Sequence, residues 1–514
     1  MSITACQMTL VELLPDQAEQ LRRLGLDKLR LAGITIDSRR VRHGDLFLAC
    51  KGERFNGVDF VESAAEKGAC AVLVNQKWQT ESMIDSCPVP VIAVPELEQR
   101  MPELANRFYQ QPSKDLHVIG ITGTNGKTSC SHFIAQALNA LSSKSAVLGT
   151  NGYGFLDELN TASHTTPDTL YLQRMLADMR QQGANNIVME VSSHALDQKR
   201  VAGVAFDQAV FTNLTRDHLD YHGDMAEYGF AKQRLFSEYG IQQAIINLDD
   251  PYAAQILKVI ADDVQIIGYG AERSALCESH DNLQQIWIEH CALSVQGIEA
   301  DLHTPWGTLK LSTSIIGAFN LSNLMATVAV LIGRGYSLKQ IAAVLPQLKG
   351  VSGRMEAIED DEGRLLVVDY AHTPDALEKA LLALRGHCDG QLWCVFGCGG
   401  DRDTGKRAQM AAIAETLSDR TVLTSDNPRT ENPQKIIEAV LAGFQSIDGV
   451  VVESDRRNAI ELAVSSAKSG DVVLIAGKGH EDYQEIHGVR HPFSDASVIR
   501  ELLGRTGSGG RSHA

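Results

Sequence analysis

Short apolar runs, bounded by glycine, serine and charged residues, recur along the whole chain and alternate with longer amphipathic stretches. Up to about residue 95 they fall at Gly33–Ile36, Asp45–Ala49, Ala71–Val74 and Val89–Val94, with a helical stretch near Val61–Lys67. Runs this short predict strands, here of a small α/β unit. A helical pattern over Leu97–Tyr109 ends at Gln110-Gln-Pro112 and leads into His117–Ile121, which has the length and β-branched content of a buried strand. Strands and helices then alternate to about residue 349, with runs at Ala146–Leu148, Ile187–Val191, Gln208–Thr212, Ala244–Asn247 and Val264–Ile267. Such alternation predicts a mostly parallel sheet wrapped by helices. Gln285–Leu311 switches to short alternating runs, a β-rich extension. After Gly350 a second series begins at Leu365–Asp369, Leu392–Phe396, Thr421–Thr424, Val450–Glu453 and Val472–Ala476, predicting a further nucleotide-fold-like domain. The pattern divides the chain into three α/β domains, residues 1–95, 96–349 and 350–514, the last ending in a Gly/Ser-rich tail, Gly504–Ala514, expected to be disordered.

Composition narrows the function more than the fold. At 514 residues with 22% charged residues the chain is ordinary for a soluble protein of about three domains. A net charge of −17 without a basic stripe excludes nucleic-acid binding as the main role, so an anionic ligand requires local clusters of Arg and Lys. Ten cysteines run from Cys6 to Cys398 without a paired framework. Cys394 and Cys398 lack the second ligand pair of a zinc site, which leaves free thiols in a reducing cytoplasm. The N-terminal residues carry no basic, apolar export pattern, and no apolar run approaches a membrane span.

The strand His117–Ile121 breaks into Gly123-Thr124-Asn125-Gly126, then Lys127-Thr128-Ser129, and runs into a helical pattern with Phe133, Ile134, Ala137 and Leu138. Strand, glycine loop, Lys-Thr, helix is the anatomy of a phosphate cradle. Backbone amides and the helix N-terminus face the anion, Lys127 balances its charge, and Thr128 can reach magnesium. The strict spacing wants Gly at 121, where this chain has Ile, so the loop is a shorter variant; the alternative is an ordinary glycine turn. Glu190 ends the strand at Ile187, either as a magnesium carboxylate or as an acid at a helix N-terminus. Asn213 to His222 packs an amide, the carboxylates Asp217 and Asp220, and His218 and His222 directly after a strand, a cluster suited to a second metal site or substrate positioning. By spacing alone Lys232, on the helical stretch that follows, is a solvated lysine. Asp37-Ser38-Arg39 and the Lys51–Gly57 segment fit either a phosphorylated group or plain turns. Asn320 opens an apolar helix. Thr373 and Pro374 start a helix beside His372, whose neutral form that positive helix end favours. The glycine-rich Phe396–Arg407 segment, with Arg402, Lys406 and Arg407, is an anion pocket or a flexible loop.

Together, Gly123–Thr128, Glu190, the Asn213–His222 cluster, Asn320, Gly353-Arg354 and Asp369-Tyr-Ala-His372 resemble the Mur ligases of peptidoglycan synthesis. Asp426-Asn427-Pro428-Arg429 and Gly477-Lys-Gly-His-Glu481 resemble the branch that adds the third peptide residue. The resemblance spans nearly the whole chain in order. It implies a bacterial cytoplasmic, monomeric enzyme with three domains: a UDP-sugar domain, a central P-loop-type ATPase and a Rossmann-like amino-acid domain. Its substrates would be ATP, UDP-N-acetylmuramoyl-L-alanyl-D-glutamate and meso-diaminopimelate. By position, Gly123, Thr124, Asn125, Gly126, Lys127, Thr128 and Ser129 would hold ATP, with Thr128, Glu190, His218 and Lys232 around Mg2+. Asn320 would meet adenine, Arg354 and His372 the phosphates, and Asp369 the ribose. Ile36, Ser38, Glu53, Arg54 and Phe55 would grip the UDP end, although the family often shows His-Gln-Ala at the last three. His164 (in place of the family's Asn), Thr165, Thr166, Ser192, Gln198 and Arg200 would hold the muramoyl dipeptide. Arg402, Asp426, Asn427, Pro428, Arg429, Gly477 and Glu481 would take diaminopimelate. Lys232 falls where the family carries a carbamylated lysine, which replaces the solvated reading drawn from spacing.

The chemistry so implied is phosphorylation of the D-glutamate γ-carboxylate by ATP, with Lys127, Glu190, His218 and Lys232 as the catalytic set, then attack by the amine on the acyl phosphate. Closure of the C-terminal domain about a hinge near Gly350 would exclude water. The rivals are a folylpolyglutamate synthetase or neighbouring Mur enzyme, against which Asp426–Arg429 speaks, and a catalytically silent nucleotide-binding regulator, against which the joint presence of Lys127, Glu190, His218 and Lys232 speaks.

Overall fold

The computed structural model describes residues 8–52, 55–78, 87–162, 164–280, 282–294, 296–358 and 360–504. Glu53, Arg54 and the tail beyond Gly504, for which contacts or disorder were expected, lie outside these residues. Packing divides the chain into one unit of Met1–Lys127, Ser142–Ile245 and Asp250–Ile266, and a second of Thr128–Leu141, Ile246–Asp249 and Ile267–Ala514.

In the first unit Met8–Thr9 (β1) pairs with Arg30–Leu31 (β2). Gly33–Thr35 (β3), Asp45–Ala49 (β4), Ala71–Asn75 (β5) and Val91–Val94 (β6) form a parallel sheet in chain order. Every residue of β4 and β5 is buried, because both faces of a parallel sheet are covered, and this is why they read as continuous apolar runs. One cover is the helix Leu97–Phe108, whose Leu97, Leu104 and Phe108 join Leu46, Leu48 and Leu73 in one core.

His117–Thr122 (β7), Ser145–Gly149 (β8), Gly152–Phe155 (β9), Asn186–Glu190 (β10) and Gln208–Phe211 (β11) lie in the order β11-β7-β10-β8-β9. All are parallel except β9, which turns back on β8. The register sets Glu190 level with Ile121 and Phe211 level with Thr122. The segments leaving β7, β10 and β11 therefore emerge along one edge, where parallel sheets bind ligands. Gln243–Asn247 (β12) and Gln265–Gly270 (β13) are the strands through which the division between units passes.

In the second unit Leu283–Ser294 (β14), Gly297–Thr304 (β15) and Gly307–Thr313 (β16) form the expected β-rich extension, and the structure pairs them antiparallel. From Leu309 to Thr313 buried and exposed positions alternate, the mark of a sheet covered on one face. Glu356–Ile358 (β17), Leu365–Asp369 (β18), Leu392–Phe396 (β19), Arg420–Leu423 (β20), Val450–Val452 (β21) and Val472–Ala476 (β22) make a sheet of order β17-β18-β22-β19-β20-β21. Only β17 is antiparallel. Alternate residues of β18 feed two cores: Leu365 and Val367 meet Leu377, Leu381 and Met410, while Leu366 and Val368 meet Ile460, Val464 and Ile499. Asp369 pairs with Ala476 and Phe396 with Leu423, so four strands end together. A hairpin of Tyr483–Ile486 (β23) and Val489–Pro492 (β24) follows. Among the described residues no helix is long and apolar enough to cross a membrane.

Candidate active site

The glycine loop is laced to the segment after β11. Thr124 N donates to Asn213 O (2.8 Å), Asn125 N donates to Asn213 Oδ1 (2.9 Å), and Thr212 Oγ1 donates to Asn125 O (2.6 Å). Gly123 has φ +148, and a Cβ there would lie 1.9 Å from Thr212 Oγ1, so only glycine fits. Lys127 Nζ curls back to donate to the carbonyls of Gly123 and Thr124, both at 2.8 Å.

Lys232 Nζ donates to the same Gly123 carbonyl at 2.8 Å and sits 4.3 Å above the Tyr228 ring. The residue is 1% exposed, which overturns the solvated reading from spacing. A signal was present: Tyr228, Ala231, Lys232 and Leu235 share one helical stripe, and all four are buried. Desolvation, with the Lys127 charge added, holds the Lys232 amine well below the ordinary lysine value. Tyr228, not anticipated, also reaches the loop, its hydroxyl 3.1 Å from Thr124 Oγ1.

Glu190 is 1% exposed and accepts from Thr150 N (2.9 Å) and Thr150 Oγ1 (3.1 Å). Most of the expected dipeptide residues join this network. Thr165 Oγ1 is 3.0 Å from Thr150 Oγ1, Thr166 Oγ1 donates to Glu190 O, and Ser192 N donates to Thr166 Oγ1. Arg200 donates to Thr166 O and to Gln198 Oε1. Ser192 caps the helix Ser193–Asp197, so Glu190 precedes a helix without belonging to its first turn. His164 is exposed beside Thr165.

His218 packs edge-on to His194 with centroids 4.9 Å apart, and His194 also meets His222 at 5.4 Å. His222 Nε2 is 2.9 Å from Ser193 Oγ. Burial lowers all three imidazoles below their ordinary value; for His218 the Lys127 and Lys232 charges add to this and Asp217 opposes it. They are neutral near pH 7.

Of the residues expected at the UDP end, Ile36 lines a cavity of about 920 Å³ together with Asp37, Arg40, Arg42, Tyr109 and Arg174. These arginines, unforeseen, are the kind of local cation cluster an acidic chain needs for an anionic ligand. Ser38 O accepts from Lys67 Nζ at 3.0 Å, and Phe55 is 70% exposed.

In the second unit Thr128 and Ser129 are buried in the helix Lys127–Ala140. Asn320 is 2% exposed and braced at both ends: Nδ2 donates to Ile316 O (2.7 Å), and Oδ1 accepts from Asn323 Nδ2 (3.0 Å). The Arg354 guanidinium lies 4.7 Å over Tyr370, with Nε buried and without a hydrogen-bond partner. Asp369 accepts from Met355 N and Ala371 N; burial raises its carboxyl while Arg354 opposes the shift. Thr373 caps the helix Pro374–Arg385 as expected. His372 lies below the usual imidazole value, with desolvation the leading cause and Lys406 adding to it.

At the ends of β20 and β22 two loops interlock. Asn427 Nδ2 donates to Glu481 Oε2 (2.8 Å), while Asn427 Oδ1 accepts from Lys478 Nζ (3.0 Å) and Glu485 N (2.9 Å). Lys478, with 0% exposure, also donates to Glu481 Oε2 at 3.0 Å. Asn427 is thus filled by protein partners and fixes Glu481. Arg429 has φ +52, its N donates to Glu485 O, and Nη1 donates to Gly400 O at 2.7 Å. Gly477 Cβ would lie 2.6 Å from Asp426 Oδ2, which keeps that position glycine. Of the cations on the glycine-rich loop, Arg402 is exposed, Lys406 donates to His372 O, and Arg407 is bound to Glu431.

Three family profiles match in succession: the Mur ligase family catalytic domain over residues 30–109, the Mur ligase middle domain over 121–331, and the Mur ligase glutamate ligase domain over 353–479. The UDP-N-acetylmuramoyl-L-alanyl-D-glutamate–2,6-diaminopimelate ligase of Chromobacterium violaceum is 48% identical over 94% of this chain and 96% of its own. The enzyme of that name from Pseudomonas aeruginosa is 48% identical over 96% of this chain and 98% of its own. A solved structure of a ligase with this name is 38% identical, covers 97% of this chain and 99% of its own, and superposes with a TM-score of 0.72. Matched along nearly its whole length, the chain belongs to the Mur ligase family.

Proposed function

We propose that this chain is an ATP-dependent amide ligase joining meso-2,6-diaminopimelate to the D-glutamate γ-carboxylate of UDP-N-acetylmuramoyl-L-alanyl-D-glutamate, the substrates named in its 48%-identical relatives. The observation that carries the choice of amino acid is the interlocked pair of loops, Asp426–Arg429 and Gly477–Glu481. It offers a planar cationic fork for a carboxylate and two acids for an ammonium group. Residues 1–95, 96–349 and 350–514 serve the UDP-sugar, ATP and the amino acid respectively.

Lys127 and the loop amides neutralise the phosphate chain for transfer of the γ-phosphoryl group to a carboxylate oxygen, with ADP leaving. The diaminopimelate amine, once deprotonated, attacks the acyl carbon, and phosphate departs with one carboxylate oxygen. Arg429 takes the distal carboxylate, while Asp426 and Glu481 meet ammonium. Arg200, Gln198, Thr165 and Thr166 orient the dipeptide.

Among the described residues no three His, Cys, Asp or Glu side chains gather as a metal cage. Magnesium needs no such cage, because it keeps waters and substrate phosphates and takes only one or two protein carboxylates. Buried Glu190 and neutral His218 fit as its protein ligands, and so does Lys232 once its desolvated amine has reacted with carbon dioxide to give a carbamate. Bound there, the ion would shield phosphate charge.

Oxygen-18 placed in the γ-carboxylate should appear in released phosphate; label in AMP would refute the acyl phosphate. Phosphate release should require both other substrates and favour meso-diaminopimelate over L-lysine by at least about 10²-fold, since lysine brings no distal carboxylate to the Arg429 guanidinium. Equal use of both would overturn the assignment of the pocket.

A further inference from the structure

The side chains of Arg456 and Asp495 are both 0% exposed and lie 39 positions apart. They open the helices Arg456–Ser466 and Asp495–Leu502, which pack on each other on one face of the second unit's parallel sheet. The pair is bidentate: Nε donates to Asp495 Oδ1 (2.7 Å) and Nη2 to Asp495 Oδ2 (2.8 Å). The guanidinium has donors left over, and these are aimed. Nη2 also donates to Ala476 O (2.9 Å), and Nη1 donates to Ser425 O (3.3 Å). Ser425 immediately precedes Asp426, and Ala476 immediately precedes Gly477.

Both loops of the amino-acid pocket therefore leave the sheet from carbonyls held by one cation. A buried ion pair is weak evidence for stability, because desolvation offsets its attraction, and apolar residues of similar volume often do as well. Fold stability alone thus does not account for a guanidinium here, whereas a planar fork reaching two separate strand ends does.

We propose that Arg456, held by Asp495, is a positioning residue for amino-acid selection: it sets the spacing of the Asp426–Arg429 and Gly477–Glu481 loops without touching the substrate. The proposal rests on the assignment of those loops to diaminopimelate. A displacement of about 1 Å in a positioned group can cost about 10²-fold, so the effect falls first on the amino acid, whose two loops start from the held carbonyls.

The test is phosphate release by the full chain with each substrate varied in turn. Arg456→Lys keeps the charge but loses the fork. It should raise KM for meso-diaminopimelate at least about tenfold and narrow the preference over L-lysine, leaving KM for ATP within about twofold. Val498→Ala, a buried change on the same helix as Asp495, is the control for stability alone and should lower the melting temperature with KM for diaminopimelate unchanged. If Arg456→Lys does not fold, the double change Arg456→Met with Asp495→Leu strands no charge and should show the same rise. A KM for diaminopimelate at the native value in whichever Arg456 variant folds, or a rise no larger than that of Val498→Ala, overturns the proposal. Arg429→Ala separates the two layers. If it too leaves diaminopimelate use untouched, the pocket assignment has failed; if it alone impairs that use, only the role of Arg456 has.

Discussion

Replacing Lys478 with Met tests whether the amino-acid loops are held by a buried ammonium. Lys478 has no exposed surface, and its Nζ makes two 3.0 Å contacts, one to Asn427 Oδ1 and one to Glu481 Oε2, with the Tyr483 ring 5.4 Å away. Methionine matches the length of the stem, so little cavity opens and the loss is electrostatic. A hydrogen bond involving a charged group contributes about 1.5–3 kcal/mol, and removing one member of a buried pair costs about 3–5 kcal/mol. The Glu481 side chain keeps 17% exposure, so water recovers part of that, leaving about 3 kcal/mol. If half of it is felt at the pocket through a displaced Glu481, binding weakens about tenfold, at 1.4 kcal/mol per decade. Phosphate release at saturating ATP, with meso-diaminopimelate varied, should show kcat/KM down about 10- to 100-fold and KM for ATP nearly native. Urea unfolding should show the matching loss of stability. A native kcat/KM accompanied by lost stability would make Lys478 a packing residue only. Unchanged stability would refute the buried-pair accounting itself.

Lys232→Arg keeps a cation but cannot form a carbamate. Turnover should fall at least about 10²-fold while circular dichroism shows the fold retained, and near-native turnover would remove Lys232 from the chemistry. Gly353→Ala should unfold at lower denaturant and bind ATP more weakly, because φ is +66 there and the added Cβ would lie 2.0 Å from His480 N; a native midpoint in urea would refute it. His132 is pushed down to about 4, first by burial and then by Arg354 and His480. A lowered imidazole means the unfolded chain binds the proton first, so stability is full above pH 6.5 and falls with pH towards 4. The loss is about 2 kcal/mol by pH 5, and His132→Gln should flatten that acid limb in urea titrations at pH 7 and 5.

The amino-acid sequence by itself determined the strands that carry the site, because each is a short apolar run buried on both faces and needs no partner to be recognised. It also determined the glycine loop and the helix start at Thr373-Pro374, whose signals are local backbone chemistry. Strands without such a run were not legible: Gly152–Phe155 is glycine-rich, and no residue of Tyr483–Ile486 is fully buried. Tertiary structure decided the rest. Spacing alone made Lys232 a solvated lysine, and the packing of its helix against the loop is what buries it. Asn427, expected to meet substrate, is occupied by Lys478, Glu485 and Glu481, which lie more than fifty positions away. The clamp of Arg456 on Ser425 and Ala476 exists only because a parallel sheet brings the ends of β20 and β22 to one edge. Burial, and the choice of partner for a buried charge, are set by strand order and register, and neither is written in local sequence spacing.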